Sequence, residues 1–297
     1  MPNLENKIWF DGKLVPATAA QVNVLTHALH YGSAVFEGEQ VYSGRIFKLA
    51  EHTERLFYSA GRLGMKVAFD GQALERATRD VVAANRVGNG YVRPLVWRGS
   101  ETIAVSAPNT TIHVMIAAWD TLPPYDKEAC AMGIRMKTSD WVRPPPNVAP
   151  TDAKAAGLYV TSTLAKHAAE DAGYDDALML DYRGQVAEAT LANIFLVIDR
   201  ALHTPIPDCF LNGITRQTVI ELADELGIPV VERVVFPRDF ERATEVFVTG
   251  TAAEVTPVRE IDDFRFESRD VTELIIGAFE SLTGKGRAVP EPVETMK

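Results

Sequence analysis

Apolar and polar positions alternate at the start of the chain. In KIWFDGKLVP, residues 7–16, two short β-rich runs flank Asp11-Gly12, a pair that favours a tight hairpin turn. VYSGRIFKL, 41–49, repeats the device with Ser43-Gly44. The period then lengthens: two helical stretches follow over about 49–64 and 72–86, the second opening after Asp70-Gly71 and ending near Asn85. YVRPLVW (91–97) and TIHVMIAAW (111–119) predict strands, which makes residues 1–119 an α+β portion. DTLPPYDKEACAM, 120–132, carries paired prolines and little periodicity and reads as a linker. Beyond it, a helix is expected over 159–173, then strands at Ala177–Leu180, 193–198, 229–234 and 245–250, with helices over 216–226 and about 271–283. The polar, Pro-containing end, about 285–297, is expected to be disordered. The second portion is therefore 133–297, and no internal repeat is visible.

At 297 residues the chain is long enough for one large domain or two modest ones. A net charge of −10 argues against nucleic acid or an anionic membrane as partner. Two cysteines, Cys130 and Cys209, are too few for a disulfide framework and read as reduced thiols. No run approaches the roughly 20 apolar residues that span a bilayer. The start MPNLENKIWF lacks a basic-then-apolar export pattern, so the cytoplasm is the expected compartment.

Several segments carry candidate chemistry. In TDAKAAGLY, 151–159, Lys154 sits among alanines and glycine, just after the Pro-rich run VRPPPNVAP. A lysine with no obvious local acidic partner can be desolvated, which lowers its pKa and frees a nucleophilic amine. Small neighbours leave space for a planar ligand; the alternative is a solvated loop lysine. LNGITRQTVIEL, 211–222, brings Gly213 to a helix start whose N–H groups suit an anion. VTGTAAEVTP, 248–257, can present N–H groups and Thr251 to another, or be an ordinary turn. Glu188, among small residues before an apolar strand, is either an exposed edge residue or the partner of a buried cation. By pattern alone Arg55 is a surface arginine of an amphipathic helix. His27 and His30 stand three apart, but no second ligand pair accompanies them, so packing and hydrogen bonding are expected rather than a metal.

Taken together, HALHYGSAVFEG (27–38), EHTERLFYSA, YVRPL, TDAKAAGLY, AEATLANIF, LNGITR and VTGTAAEVTPV resemble, in order and spacing, the branched-chain aminotransferases. These are pyridoxal 5'-phosphate enzymes of fold type IV, with a small α+β domain and a larger pseudo-barrel domain. The resemblance covers about residues 7–284. It implies that Lys154 is the Schiff-base lysine and shuttles the substrate proton, and that Tyr159 hydrogen-bonds the cofactor's phenolic oxygen. It makes Glu188 the acid on the pyridine nitrogen, and Arg55, Gly213, Ile214, Thr215 and Thr251 the phosphate cup. On the substrate side, Tyr31, Phe36, Gly38, Tyr91 and Arg93 match pocket positions. Phe36 would line an apolar pocket. Tyr91 with the N–H groups of Ala252 and Ala253, after Thr251, would hold the α-carboxylate. Arg93 would take the distal carboxylate of glutamate or 2-oxoglutarate; its alternative is a strand-edge arginine in an ion pair. Tyr31 and the 102–105 loop, with Ile103 and Val105, reach a neighbouring subunit's site in the family, which implies at least a homodimer.

The expected reaction is ping-pong amino transfer from leucine, isoleucine or valine to 2-oxoglutarate, so the partners are amino acids and 2-oxo acids. One departure stands out. Where the family commonly reads Ile-Arg (or Lys)-x-Tyr after Phe36-Glu37-Gly38, this chain has Glu39-Gln40-Val41-Tyr42, and one of the first two positions should point to the pocket side. The alternatives are a D-amino-acid or (R)-amine transaminase, an aminodeoxychorismate lyase, or a cofactor-binding protein without catalysis.

Overall fold

A computed structural model describes residues 5–120, 125 and 127–284. It divides into two compact units, Met1–Leu122 with Pro150–Val160 and Pro123–Ala149 with Thr161–Lys297. Residues 150–160, Lys154 among them, thus fold with the first unit, whereas the sequence partition grouped everything after 132 together.

The first unit is built on a seven-stranded sheet. Strands β1 (Lys7–Phe10) and β2 (Lys13–Pro16) form the expected hairpin. Its turn places Asp11 at φ 45° and Gly12 at φ 92°, the left-handed pair that matches strand twist. There follow α1 (His27–Tyr31), β3 (Ala34–Phe36), β4 (Glu39–Tyr42), β5 (Arg45–Ile46), α2 (Leu49–Arg62), α3 (Gly71–Ala84), β6 (Gly90–Arg98) and β7 (Ile112–Asp120). The order is β2-β1-β7-β6-β4-β5, with β3 also on β6. The side chain of Asp70 caps α3 by accepting from Ala73 N. Along β6, Val92 and Val96 are buried in a core with Leu56, Leu74, Val81, Val114 and Ile116. By alternation Tyr91 and Arg93 emerge on the opposite face. Strands β3 and β4 meet β6 on either side of Glu37-Gly38, an interruption opposite Arg93 and Pro94.

The second unit holds α4 (Lys127–Met132), β8 (Ile134–Thr138), most of α5 (Tyr159–Asp171), β9 (Asp176–Leu180), β10 (Val186–Ala189), β11 (Asn193–Ile198) and β12 (Ala201–Pro205). It continues with α6 (Ile214–Glu225), β13 (Val230–Arg233), β14 (Glu245–Gly250), β15 (Glu254–Ile261), β16 (Phe264–Arg265) and α7 (Asp270–Thr283). Its nine strands run β10-β9-β8-β15-β14-β11-β12-β13, with β16 on β15. Ile134, Leu178, Ile194, Leu196, Val246 and Val248 fill the core.

Three expectations need correction. Part of the supposed linker is helix α4; a tertiary role for Ala129 and Cys130, which pack against the core, outweighs the weak local pattern. Helix α6 begins at Ile214 rather than 216. Strands β3, β8, β10, β12, β15 and β16 were not anticipated. β10 is buried at all four residues, so it lacks the alternation of a half-exposed strand, and Pro257 disguises β15. The disorder expected for 285–297 lies outside the described residues. Among the described residues no helix is long and apolar enough to cross a membrane.

Candidate active site

In the first unit the lysine segment is pinned at successive residues. Asp152 accepts from Tyr58 Oη at 2.5 Å and Arg62 Nε at 3.0 Å. Lys154 N donates to Ser59 Oγ at 3.0 Å, its carbonyl accepts from Phe36 N at 3.1 Å, and Ala155 bridges Val35. Ala153 and Ala155 are buried, and a Cβ on Gly32 would lie 3.1 Å from Gly157 Cα. The small residues around Lys154 therefore have a packing reason of their own: they let this backbone lie directly on β3 and on the turn after α1.

The lysine amine donates to Tyr159 Oη at 2.9 Å and sits 5.0 Å from the centre of the Phe36 ring. Tyr159 meets Phe36 edge-on at 4.8 Å. The Arg93 guanidinium lies 4.6 Å over the same Phe36 ring, and its Nη2 donates to Tyr91 Oη at 3.2 Å. Lys154, Tyr159, Phe36, Arg93 and Tyr91 are thus one cluster. Gly38 belongs to it by omission: a Cβ there would fall 1.7 Å from Tyr91 Oη. Arg93 is not a strand-edge residue, because β6 is paired on both sides; its Nε is buried without a hydrogen-bond partner among the described residues.

His52, Arg55 and Ser59 recur at three- and four-residue steps and form one stripe of α2. Arg55 is no surface arginine. Its Nε and Nη2 grip Glu37 at 2.6 and 2.8 Å, and His52 Nδ1 donates to the same carboxylate at 2.7 Å. Burial alone would raise the Glu37 pKa; the charge and hydrogen bonds of Arg55, with His52, outweigh it and hold the group well below the usual carboxylate range. His52 is shifted down by burial and stays neutral. Two residues on, Glu39 is 1% exposed with Oε2 unpartnered among the described residues, and burial, reinforced by the charge of Glu37, pushes its pKa up. Glu39 is paired with Val92 and faces the core, whereas Gln40 is paired with Tyr91 and shares its face.

His27 is buried, with Nδ1 on Ser33 Oγ at 2.7 Å and Nε2 on the Ala104 carbonyl at 3.1 Å. Tyr31 Oη donates to the Ile103 carbonyl at 2.7 Å, which ties α1 to the 102–105 loop. Tyr31, Ile103 and Val105 nevertheless expose 49%, 51% and 81% of their surface.

In the second unit Glu188 lies on β10, 8% exposed, and its Oε1 meets Arg143 Nη2 at 2.9 Å. Of the two readings offered by the sequence, the buried-cation partner is the one observed. Its Oε2 accepts from Asn193 Nδ2 at 3.2 Å. Gly213 is the N-cap of α6 with no side-chain cap of its own, and its N–H donates to Asn193 Oδ1 at 3.1 Å. The first-turn N–H groups beyond it, those of Ile214 and Thr215, have no intrahelical acceptor, as at any helix start. Thr251, Ala252 and Ala253 form the half-buried turn between β14 and β15, with the Ala253 carbonyl accepting from Thr256 Oγ1 at 2.6 Å. Gly250 lets that turn close on the loop after β10; a Cβ there would sit 3.2 Å from the Leu191 carbonyl. Glu188, the α6 start and the Thr251 turn are therefore neighbours.

Sequence reasoning passed over Glu37, His52, Ser59, Arg143 and Asn193. A signal existed for all five: Glu37, His52, Ser59 and Asn193 stand inside the motifs FEG, EHTERLFYSA and AEATLANIF, and Arg143 opens the proline run.

A family described as amino-transferase class IV matches residues 34–261. The branched-chain-amino-acid aminotransferase of Pseudomonas aeruginosa is 40% identical over 299 residues, covering 98% of this chain and 97% of that protein. Among solved structures, the branched-chain amino acid aminotransferase of Escherichia coli superposes with a TM-score of 0.92 at 38% identity, covering 96% of each chain. That of Thermobaculum terrenum, solved in its PLP-form as the holo-form, gives 0.85 at 31% identity, covering 95% of this chain and 96% of that one.

Proposed function

The chain belongs to the class IV aminotransferases, and from that footing we propose that it moves the amino group of leucine, isoleucine or valine to 2-oxoglutarate in a ping-pong cycle using pyridoxal 5'-phosphate. The observation that carries this reading is the Lys154 cluster: an amine hydrogen-bonded to a phenol, beside an aromatic ring shared with a guanidinium. The residues suit the cofactor. The first unit offers the lysine, the phenol and Arg55; the second offers a buried carboxylate held by Arg143 and an uncapped helix start. Both a pyridine nitrogen and a phosphate have matching groups.

When bound, pyridoxal phosphate supplies an electron sink for the bond broken at the substrate α-carbon. Lys154 would hold the cofactor and would move the substrate α-proton. Tyr159 Oη, 2.9 Å from that amine, can take or return a proton there and would hold the phenolic oxygen of the cofactor. Glu188 would hold the ring nitrogen, with Arg143 keeping the carboxylate in place. Arg55, oriented by Glu37, would offer a forked cation to phosphate, and the N–H groups of Ile214, Thr215 and Thr251 would offer donors to it; Gly213 serves by its missing side chain. Phe36 provides an apolar wall for the aliphatic substrate. Arg93 takes the distal carboxylate of 2-oxoglutarate, and Tyr91, Ala252 and Ala253 the α-carboxylate. The exposed Tyr31, Ile103 and Val105 complete the site of a second copy in a homodimer or larger assembly, and the enzyme works in the cytoplasm.

Gln40 favours a second reading. It puts a neutral amide on the Tyr91 face, and its Oε1 is buried without a partner among the described residues. With no cation at this position, an acidic substrate has no counter-charge from it, which shifts preference toward apolar amines. Half-reactions followed by the absorbance of the bound cofactor separate the two: L-leucine should convert it faster than D-alanine or (R)-1-phenylethylamine. Faster conversion by either of the latter would replace the branched-chain assignment with theirs.

A further inference from the structure

Asn193 joins two of the groups assigned above. It is the first residue of β11 and 4% exposed, and its backbone pairs with Thr249, just before the Gly250–Ala253 turn. All three hydrogen-bonding directions of its carboxamide used here have known signs. Gly213 N–H can only donate, so it meets Oδ1, at 3.1 Å; the Leu211 carbonyl can only accept, so it meets Nδ2, at 3.0 Å. The remaining N–H is thereby aimed at Glu188 Oε2, 3.2 Å away.

Gly213 supports the same conclusion independently. Its φ of −64° is open to any residue, so backbone conformation does not call for glycine. What calls for it is Asn193: a Cβ at 213 would lie 2.2 Å from Oδ1. The amide takes up one N–H at the start of α6, that of Gly213 itself, from a separate strand, and does not engage the next N–H groups of the helix. On Glu188 the labour is divided. Arg143 supplies charge at Oε1, and the neutral amide sets the direction of Oε2 without adding charge.

We propose that Asn193 is a positioning residue that holds the carboxylate of Glu188 and the start of α6 in one register, so that a ring nitrogen and a phosphate are bound together. This rests on the roles given to Glu188 and α6 under the proposed function. A mere staple of the 190–193 and 211–213 segments would affect thermal stability but neither the cofactor's spectrum nor its affinity at temperatures well below unfolding.

The test uses the full chain, freed of cofactor and reloaded, in Asn193→Ala, Asn193→Asp, Glu188→Gln and the Asn193→Ala/Glu188→Gln double variant. Two quantities are read: the dissociation constant for pyridoxal phosphate, and the pH midpoint of the bound cofactor's visible band. Inorganic phosphate is titrated as a competitor. Asn193→Ala is expected to weaken cofactor binding about tenfold, the loss of one hydrogen bond to a charged group, and to move the spectral midpoint in the direction Glu188→Gln moves it. It should also weaken inorganic phosphate, which Glu188→Gln should leave unchanged. The double variant should lose less than the two singles added. If Asn193→Ala does not fold, Gly213→Ala displaces the same oxygen and should give the same losses. Should Glu188→Gln itself leave affinity and midpoint unchanged, the role given to Glu188 falls. Should Glu188→Gln shift both while folded Asn193 and Gly213 variants match the parent, or should the losses simply add, only the inference about Asn193 falls.

Discussion

In the first unit a cation, Arg55, is held by a buried carboxylate, Glu37; in the second a carboxylate, Glu188, is held by a buried guanidinium, Arg143. Each candidate cofactor group is thus fixed by a partner of opposite charge, which limits the cost of taking either out of water. The difference lies in what completes each pair. In the second unit a neutral amide, Asn193, closes the arrangement. The first adds a neutral imidazole, His52, and a second acid, Glu39, whose Oε2 has no hydrogen-bond partner among the described residues. Glu37 and Glu39 share a strand region and differ in sign of shift, down for one and up for the other. A buried carboxyl takes its protonation state from the donor it touches, and the sequence, which has two glutamates two residues apart, gives no hint of which is which.

The comparison can be broken at its centre. Lys154→Ala should lower kcat by about 10⁴-fold or more, because the proton-moving group is gone, while circular dichroism stays native. Near-normal turnover would remove the first unit from the chemistry. Glu188→Gln should lower kcat by about 10²–10³-fold with the cofactor still bound, the scale of losing a preorganised charge at a reacting centre. If kcat hardly moved, the mirror relation between the two pairs would be only structural.

The smallest effect sharpens the contrast within the first unit. Glu39 has a raised pKa, so its contribution to stability is complete below the ordinary value of 4.5 and is lost as pH rises from there toward the folded value. Glu37 and His52 are shifted down and run the other way, losing their contributions as pH falls below 4.5 and 6.5 respectively. The groups acting on Glu39 are Glu37, Arg55 and Glu75. Glu39→Gln removes one slope alone. Its melting temperature should match the parent near pH 5 and exceed it by a margin that widens as pH rises toward 8. A difference independent of pH would mean that Glu39 is not a neutral acid in the fold.

Much of the architecture was legible. Asp11-Gly12 and Ser43-Gly44 mark real hairpins, Asp70 caps a real helix, and NIFLVI and EVFVTG are strands at the expected bounds. Each of these is decided by neighbours in sequence. Strands buried on both faces, such as β10, carry no alternation and were missed. The string of motifs identified the family and marked Lys154, Tyr159, Glu188 and Arg55 as candidates. It did not reveal what holds them. Glu37 reaches Arg55 across 18 positions, and Arg143 reaches Glu188 across 45.

By itself, then, the sequence determined the local grammar: turns where glycine or aspartate takes a left-handed backbone, helices where apolar residues recur, and a lysine set among residues small enough for a backbone to lie on. Tertiary structure alone decided which charges are neutralised and which amides point where. Those outcomes depend on burial and on hydrogen bonds between groups far apart in the chain, and both arise only when the strands and helices pack.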